Sequence, residues 1–232
     1  MSTYCISDLH GLPVEKLKEL LTRAGFGEGD YLFVLGDVID RNGDGGLSLL
    51  RWLMETPDAE FILGNHEAML LSCEFVFGEI TEENIDALEE MQMRLLKRYL
   101  RNGGQVTLNA LRSISEEERN DILDFLREAP LWEAVTAGER DFILVHAGLG
   151  NFSPDKKMSE YASDELVWTR PALDERYFED IMTVAGHTPT FIHGGQYDGL
   201  PVFTDTWIDI DSGAAYGRDP VLLRLDDLRW FR

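Results

Sequence analysis

The chain has 232 residues, a formal net charge of −22, 44% hydrophobic content and two cysteines. That length suits one α/β domain with a full core, spanning residues 1–232. The acidic balance argues against binding a nucleic-acid backbone, which requires clustered Lys and Arg. No apolar run approaches the roughly 18 residues of a membrane span, and the segment Met1–Ser7 lacks the basic and long apolar regions of a signal peptide. A soluble, cytoplasmic protein with no membrane partner is therefore expected. Cys5 and Cys73 show no CxxC spacing, which predicts reduced, packed thiols and excludes a zinc–thiolate site.

In chain order, Thr3 to Ser7 reads as a first strand, with Asp8-Leu-His10-Gly11 at its end. Pro13 is placed for a helix N1 position, Val14, Leu17, Leu20, Leu21 and Ala24 share one face, and Gly25 closes the helix. The apolar run Tyr31 to Leu35 predicts a strand buried on both faces and leads into Gly36-Asp37-Val-Ile-Asp40-Arg41-Asn42. Leu47, Leu49, Leu50 and Leu53 mark the next helix, and Phe61-Ile-Leu63 a third strand that runs into Gly64-Asn65-His66-Glu67. Three βα units thus each present polar residues after their strand, where α/β proteins carry chemistry.

Residues 67–128 read as a helical insertion or flank, with Ile85, Leu88, Met91, Leu95, Leu96 and Tyr99 at helical spacing. A Ser115–Glu118 capping box precedes the stripe Ile122, Leu123, Phe125, Leu126. No residue there demands a chemical role. The remainder reads as strand-rich. Phe142 to Val145 runs into His146-Ala-Gly148, Leu166 to Trp168 into Thr169-Arg170, and Met182 to Ala185 into Gly186-His187-Thr-Pro189. Val202-Phe203, Trp207 to Ile210 and Val221 to Leu225 are expected to complete a second sheet. Two packed mixed sheets flanked by helices follow, an α/β fold.

His10, His66, His146 and His187 each lie beside or close to a Gly or Asn just after an apolar run, while His193 has no such setting and reads as structural. Together with Asp8, Asp37, Asp40 and Asn65 they form a donor set of carboxylate, imidazole and amide oxygen, suited to Mn²⁺, Fe²⁺ or Zn²⁺. The ligands suffice for two ions, one on Asp8, His10 and Asp37, the other on Asn65, His146 and His187, with Asp37 as the bridge. Two divalent ions outweigh the charge of Asp8 and Asp37, so a phosphate is attracted even in an acidic protein; surface carboxylates beyond the Debye length of about 8 Å are screened. Two metals can generate a hydroxide nucleophile and grip phosphoryl oxygens during in-line displacement. His66, oriented by Asp40, is the expected general acid, and Arg41 and Arg170 the bidentate phosphate clamps. There is no GxxxxGK[ST] segment, which disfavours nucleotide-driven phosphoryl transfer.

These segments, in this order, resemble the PPP-type metallophosphatases of the calcineurin-like superfamily, in particular the small bacterial and lambda-type serine/threonine protein phosphatases. The matching stretches are Asp8-Leu-His10-Gly11, Gly36-Asp37-Val-Ile-Asp40-Arg41, Gly64-Asn65-His66-Glu67, His146-Ala-Gly148, Trp168-Thr-Arg170, Gly186-His187-Thr-Pro189 and Ile208-Asp-Ile-Asp-Ser-Gly213. The resemblance implies a metallophosphoesterase fold, a dinuclear centre usually active with Mn²⁺, the residue roles given above, and a phosphomonoester substrate on proteins. Two departures stand out. Leu63 occupies the place of an Arg usual in the protein phosphatases, as in the related symmetrical diadenosine tetraphosphatases, which makes hydrolysis of a dinucleoside polyphosphate the alternative. Asn42 replaces a common Gly, a position where Asn can adopt a left-handed backbone.

Overall fold

The computed structural model describes residues 1–78 and 90–232. Among them, β1 (Thr3–Ile6), β2 (Tyr31–Val34) and β3 (Ala59–Phe61) alternate with α1 (Val14–Ala24), α2 (Leu47–Glu55) and α3 (Asn65–Leu71). Then come α4 (Glu90–Arg101), α5 (Gln105–Ser113), α6 (Glu116–Glu128), β4 (Trp132–Ala137), β5 (Arg140–Val145) and α7 (Ser163–Val167). The chain closes with β6 (Ile181–Ala185), β7 (Val202–Phe203), β8 (Trp207–Asp209), β9 (Leu222–Arg224) and β10 (Arg229–Phe231). One sheet has the order β10-β9-β1-β2-β3, the other β4-β5-β6-β8-β7. Strands β1, β2 and β3 are mutually parallel, as are β5, β6 and β8; the remaining strands join antiparallel.

Side-chain alternation along the strands builds the layers. Cys5, Phe33 and Leu35 of the first sheet meet Phe142, Leu144, Val184 and Ile208 of the second in a core between the two sheets. Tyr4, Ile6, Leu32 and Val34 point the other way, onto α1, α2, α3, α5 and α6. The outer face of the second sheet, with Val145, Ala185 and Trp207, is covered by Leu166 of α7 and by loop residues such as Tyr161 and Tyr177. This is the expected two-sheet sandwich, with a thick helical layer on one side and a thin one on the other. Helix α1 buries the five residues its spacing predicted; Pro13 sits one position earlier than expected, at the N-cap, and Gly25 closes the helix in a left-handed conformation.

The structure corrects four expectations. Leu166 to Trp168 is not a strand: α7 ends there, started by Ser163-Asp164-Glu165, whose Glu165 carboxylate accepts the Ala162 N–H at 2.9 Å. Three apolar residues are too few to define a period. Val221 to Leu225 does form a strand, but in the first sheet, where β9 pairs antiparallel with the open edge of β1 (Cys5 opposite Leu223). Its pattern announces a strand without naming its neighbour. Strands β4 and β10 were missed; β4 is a half-exposed edge strand joined to β5 through the Gly138-Glu139 turn, a hairpin signal that Gly138, at φ 59°, carries. In the helical stretch, Ser115 caps α6 by accepting the Glu118 N–H, and Tyr99 is buried, whereas Met91 is exposed. Ile85 and Leu88 lie outside the described residues.

Candidate metal centre and active site

The loops after β1, β2, β3, β5 and β6 converge on one rim of the sandwich and tie to one another. His10 N–H donates to the Asp37 carbonyl at 2.9 Å, Gly11 N–H to that of Val38 at 2.8 Å, and Gly186 N–H to that of His146 at 2.7 Å. Asp8, His10, Asp37, Asp40, Arg41 and His187 all hold positive φ, between 41° and 72°. Non-glycine residues pay a steric penalty for that conformation, so the surrounding bonds must enforce it. The expected left-handed role for Asn42 falls instead to Asp40 and Arg41, at 72° and 67°. Gly36 is required twice over: its φ is 81°, and a Cβ would come within 2.7 Å of His146 Nδ1. A carboxylate pins this turn, for Glu67 at the first turn of α3 accepts the N–H groups of Asp37 (3.0 Å), Val38 (2.9 Å) and Ile39 (3.3 Å).

All six expected metal ligands are brought together and buried. His10 Nδ1–H donates to the Ile39 carbonyl at 2.9 Å and His146 Nδ1–H to that of Leu35 at 2.7 Å, so both rings turn an unprotonated Nε2 inward. His10 Nε2 lies 3.6 Å from Asp37 Oδ2 and 4.0 Å from Asp8 Oδ1. On the other side of Asp37, His146 Nε2 lies 3.4 Å from Oδ1 and 2.9 Å from Asn65 Oδ1. In the tautomer fixed by Leu35, that last pair is two acceptors facing each other, an arrangement that a cation between them satisfies. His187 Nε2 is buried with no hydrogen-bond partner, although its backbone N–H is held by Asp8 Oδ2 at 2.8 Å. Donor atoms of Asp37, His146 and His187 lie within 4.8 Å of one another, and those of His10, Asp37 and His66 do likewise, so Asp37 is common to two sets. Lone pairs converging with an orphaned ring nitrogen fit a pair of divalent cations.

His66 and Asp40 meet as expected, Nδ1 to Oδ2 at 2.6 Å, and Arg41 Nη2 donates to His66 Nε2 at 3.1 Å. The same Nε2 lies 3.8 Å from Asp37 Oδ2, at the edge of the first donor set. Arg41, Arg170, Trp168, Ile192 and Tyr216 line the cleft above these groups, which has a cavity volume of about 70 Å³. Leu63 does not reach it; it packs against the core on the helical side of the first sheet. Among the described residues that line the cleft, Arg41 and Arg170 are the guanidinium groups.

Burial dominates the electrostatics. It pushes Asp37 well above the usual carboxylate range, with the Asp8 and Glu67 charges adding to it, and raises Asp8. It pushes Asp40 up to about 7, against the hydrogen bonds of Thr107 and Tyr99. Burial also drives the imidazoles of His10 and His187 far below their ordinary value and that of His66 down to about 2, with Arg41 acting in the same direction on all three. A bound phosphoryl anion would reverse the Arg41 effect on His66, since an adjacent negative charge favours the imidazolium.

Several site residues escaped the sequence reading. Tyr99 and Thr107, from the helical stretch read as chemically silent, both donate to Asp40 Oδ1. Asp211 lines the cleft, buried beside Asp209, which also meets His193 Nε2 at 3.2 Å. The only available signal for the aspartates was the Ile208-to-Gly213 stretch.

The model of the calcineurin-like phosphoesterase family matches residues 1–205. A symmetrical bis(5′-nucleosyl)-tetraphosphatase of Actinobacillus succinogenes is 32% identical over 162 residues, 68% of this chain and 47% of that protein. The chain thus spans about half the length of the first curated relatives it matches. A relative of the same description from Buchnera aphidicola subsp. Acyrthosiphon pisum is 30% identical over 100% of this chain and 96% of its own. Among solved structures, a protein provisionally described as a diadenosine tetraphosphatase superposes with a TM-score of 0.64 at 20% identity, covering 98% of this chain and 90% of that one. A Saccharomyces cerevisiae protein serine/threonine phosphatase similar to human PP5 does so with 0.60 at 13%, covering 97% and 72%. With the fold, the matched residues and these relatives in agreement, the chain belongs to the calcineurin-like phosphoesterase family.

Proposed function

We propose that the chain is a metal-dependent hydrolase of dinucleoside polyphosphates that cleaves a phosphoanhydride by attack of water at phosphorus. The hydrolytic reading rests on one observation: Asp37 is shared between two inward-facing donor sets, one of which contains the unpartnered His187 Nε2. Asp8, His10 and Asp37 would hold one cation, and Asn65, His146 and His187 with Asp37 the other. Manganese suits this mixture of carboxylate, imidazole and amide oxygen, with iron and zinc as alternatives. Bound there, the two ions supply an activated water and neutralise charge on the phosphoryl oxygens. Arg41 and Arg170 grip the phosphoryl group from the open side, with a fork geometry that Lys does not reproduce. His66, its Nδ1–H held by Asp40, takes up a proton at Nε2 from water as the phosphoryl anion binds and draws Arg41 away, and passes that proton to the leaving oxygen.

The nucleotide substrate, the alternative in the sequence reading, is supported by the full-length relative from Buchnera and by Leu63. Trp168 and Tyr216 add flat faces beside the cleft. The first expectation, a protein phosphomonoesterase acting on phosphoserine, phosphothreonine or phosphotyrosine, keeps support from the Asp40–Arg41 pair together with Arg170. A panel of diadenosine tetraphosphate and phosphopeptides, assayed with added Mn²⁺, separates the two. The expected result is conversion of the nucleotide to two molecules of ADP with the higher kcat/KM; a preference for any phosphopeptide overturns it.

A further inference from the structure

Asp40 is fully buried, and each of its carboxylate oxygens has its own partners. Oδ2 faces His66 Nδ1 at 2.6 Å. Oδ1 accepts the Tyr99 hydroxyl at 2.8 Å and the Thr107 hydroxyl at 2.6 Å. The Thr107 oxygen in turn accepts the Asp40 N–H at 2.9 Å. Tyr99 is on α4 and Thr107 on α5, 59 and 67 residues along the chain from the aspartate, and both are buried. The turn between these helices grips the same loop: Arg41 N–H donates to the Gly103 carbonyl at 3.2 Å, and Gly104 lies so close under the Tyr99 ring that a Cβ would come within 2.5 Å of it.

We propose that Tyr99 and Thr107 are positioning residues for protonation of the leaving group. Their hydroxyls fix the plane of the Asp40 carboxylate and, through it, the ring of His66, so that Nε2 faces the reacting centre. The inference rests on the reading of His66 as the acid. A carboxylate torsion is soft, and at a fully buried carboxylate its orientation is set by whichever protein donors reach it. Two donors on Oδ1 leave Oδ2 for His66. The imidazole therefore takes its angle from a carboxylate locked on its far side, and the α4–α5 pair becomes the brace of the acid rather than a passive flank.

The test compares manganese-loaded wild type, Tyr99→Phe, Thr107→Val, Thr107→Ser and His66→Asn on p-nitrophenyl phosphate, whose leaving group needs little protonation, and phenyl phosphate, whose leaving group needs more. Tyr99→Phe and Thr107→Val are each expected to lower kcat on phenyl phosphate about tenfold with KM unchanged, and to leave p-nitrophenyl phosphate nearly untouched. Thr107→Ser restores the wild-type ratio, and Tyr99→Phe has no further effect in a His66→Asn background. In the metal-free protein, the low-field proton resonance of His66 Nδ1–H moves in Tyr99→Phe, a readout independent of turnover. Equal losses on the two esters with an unmoved resonance overturn the proposal while His66→Asn remains selective. A His66→Asn variant that is itself unselective overturns the acid assignment, and the positioning role with it. Should Tyr99→Phe fail to fold, the Thr107→Val and Thr107→Ser pair decides by the same criteria.

Discussion

Asp37 and His66 divide the chemistry between them. Asp37 presents one carboxylate oxygen to each donor set, whereas His66 commits Nδ1 to Asp40 and leaves Nε2 to face either substrate or cation. If Nε2 is a proton donor, His66→Asn lowers kcat by about 10² to 10⁴ and leaves the metal content, read by elemental analysis, at two ions per chain. Loss of one ion in that variant would instead make His66 a ligand. The four histidines of this site were legible because each stands just after an apolar run with a Gly or Asn beside or close to it. Tyr99 and Thr107 were not, since their place beside Asp40 depends on contacts between distant parts of the chain that no local pattern encodes.

The rim is built from loops held in unfavourable backbone conformations, and the bonds that enforce them come from other elements. Glu67 carries the largest share, with three N–H groups of the β2 loop on one carboxylate. Replacing it with Gln leaves an amide NH₂ facing donors; the expected cost is about 1–3 kcal/mol in chemical denaturation, with weaker manganese binding although residue 67 belongs to neither donor set. Unchanged metal affinity would show that the loop keeps its shape without the carboxylate. The parallel strands β1, β2, β5 and β6 could be read from continuous apolar runs, because strands buried on both faces need nothing polar. The placement of β9 could not, since an edge such as that of β1 accepts any compatible strand and the choice is made by the finished core. Nor could α7, because the three apolar residues Leu166 to Trp168 at its end fit either period.

Across the whole molecule, a net charge of −22 surrounds a rim where carboxylates have been driven out of water. Because burial raises Asp8 and Asp37, the metal-free protein holds protons on them to higher pH than free aspartate would. Because burial lowers His10 and His187, those rings are already neutral and release none. Cation binding is therefore expected to expel protons, to tighten as pH rises through and above the ordinary carboxylate range, and to raise Tm with the logarithm of the ion's excess over its Kd. Calorimetric titration in two buffers of different ionisation enthalpy reads the proton release directly; binding that releases none would mean the buried carboxylates are ionised without the ion. Among the described residues, no helix is long and apolar enough to cross a membrane.

The most direct test of the account is anomalous diffraction at the manganese edge from crystals of the metal-loaded protein. The account requires two peaks, one on each side of the Asp37 carboxylate, with His187 Nε2 coordinated to the one nearer His146. A single peak, or two that share no oxygen of Asp37, would contradict it.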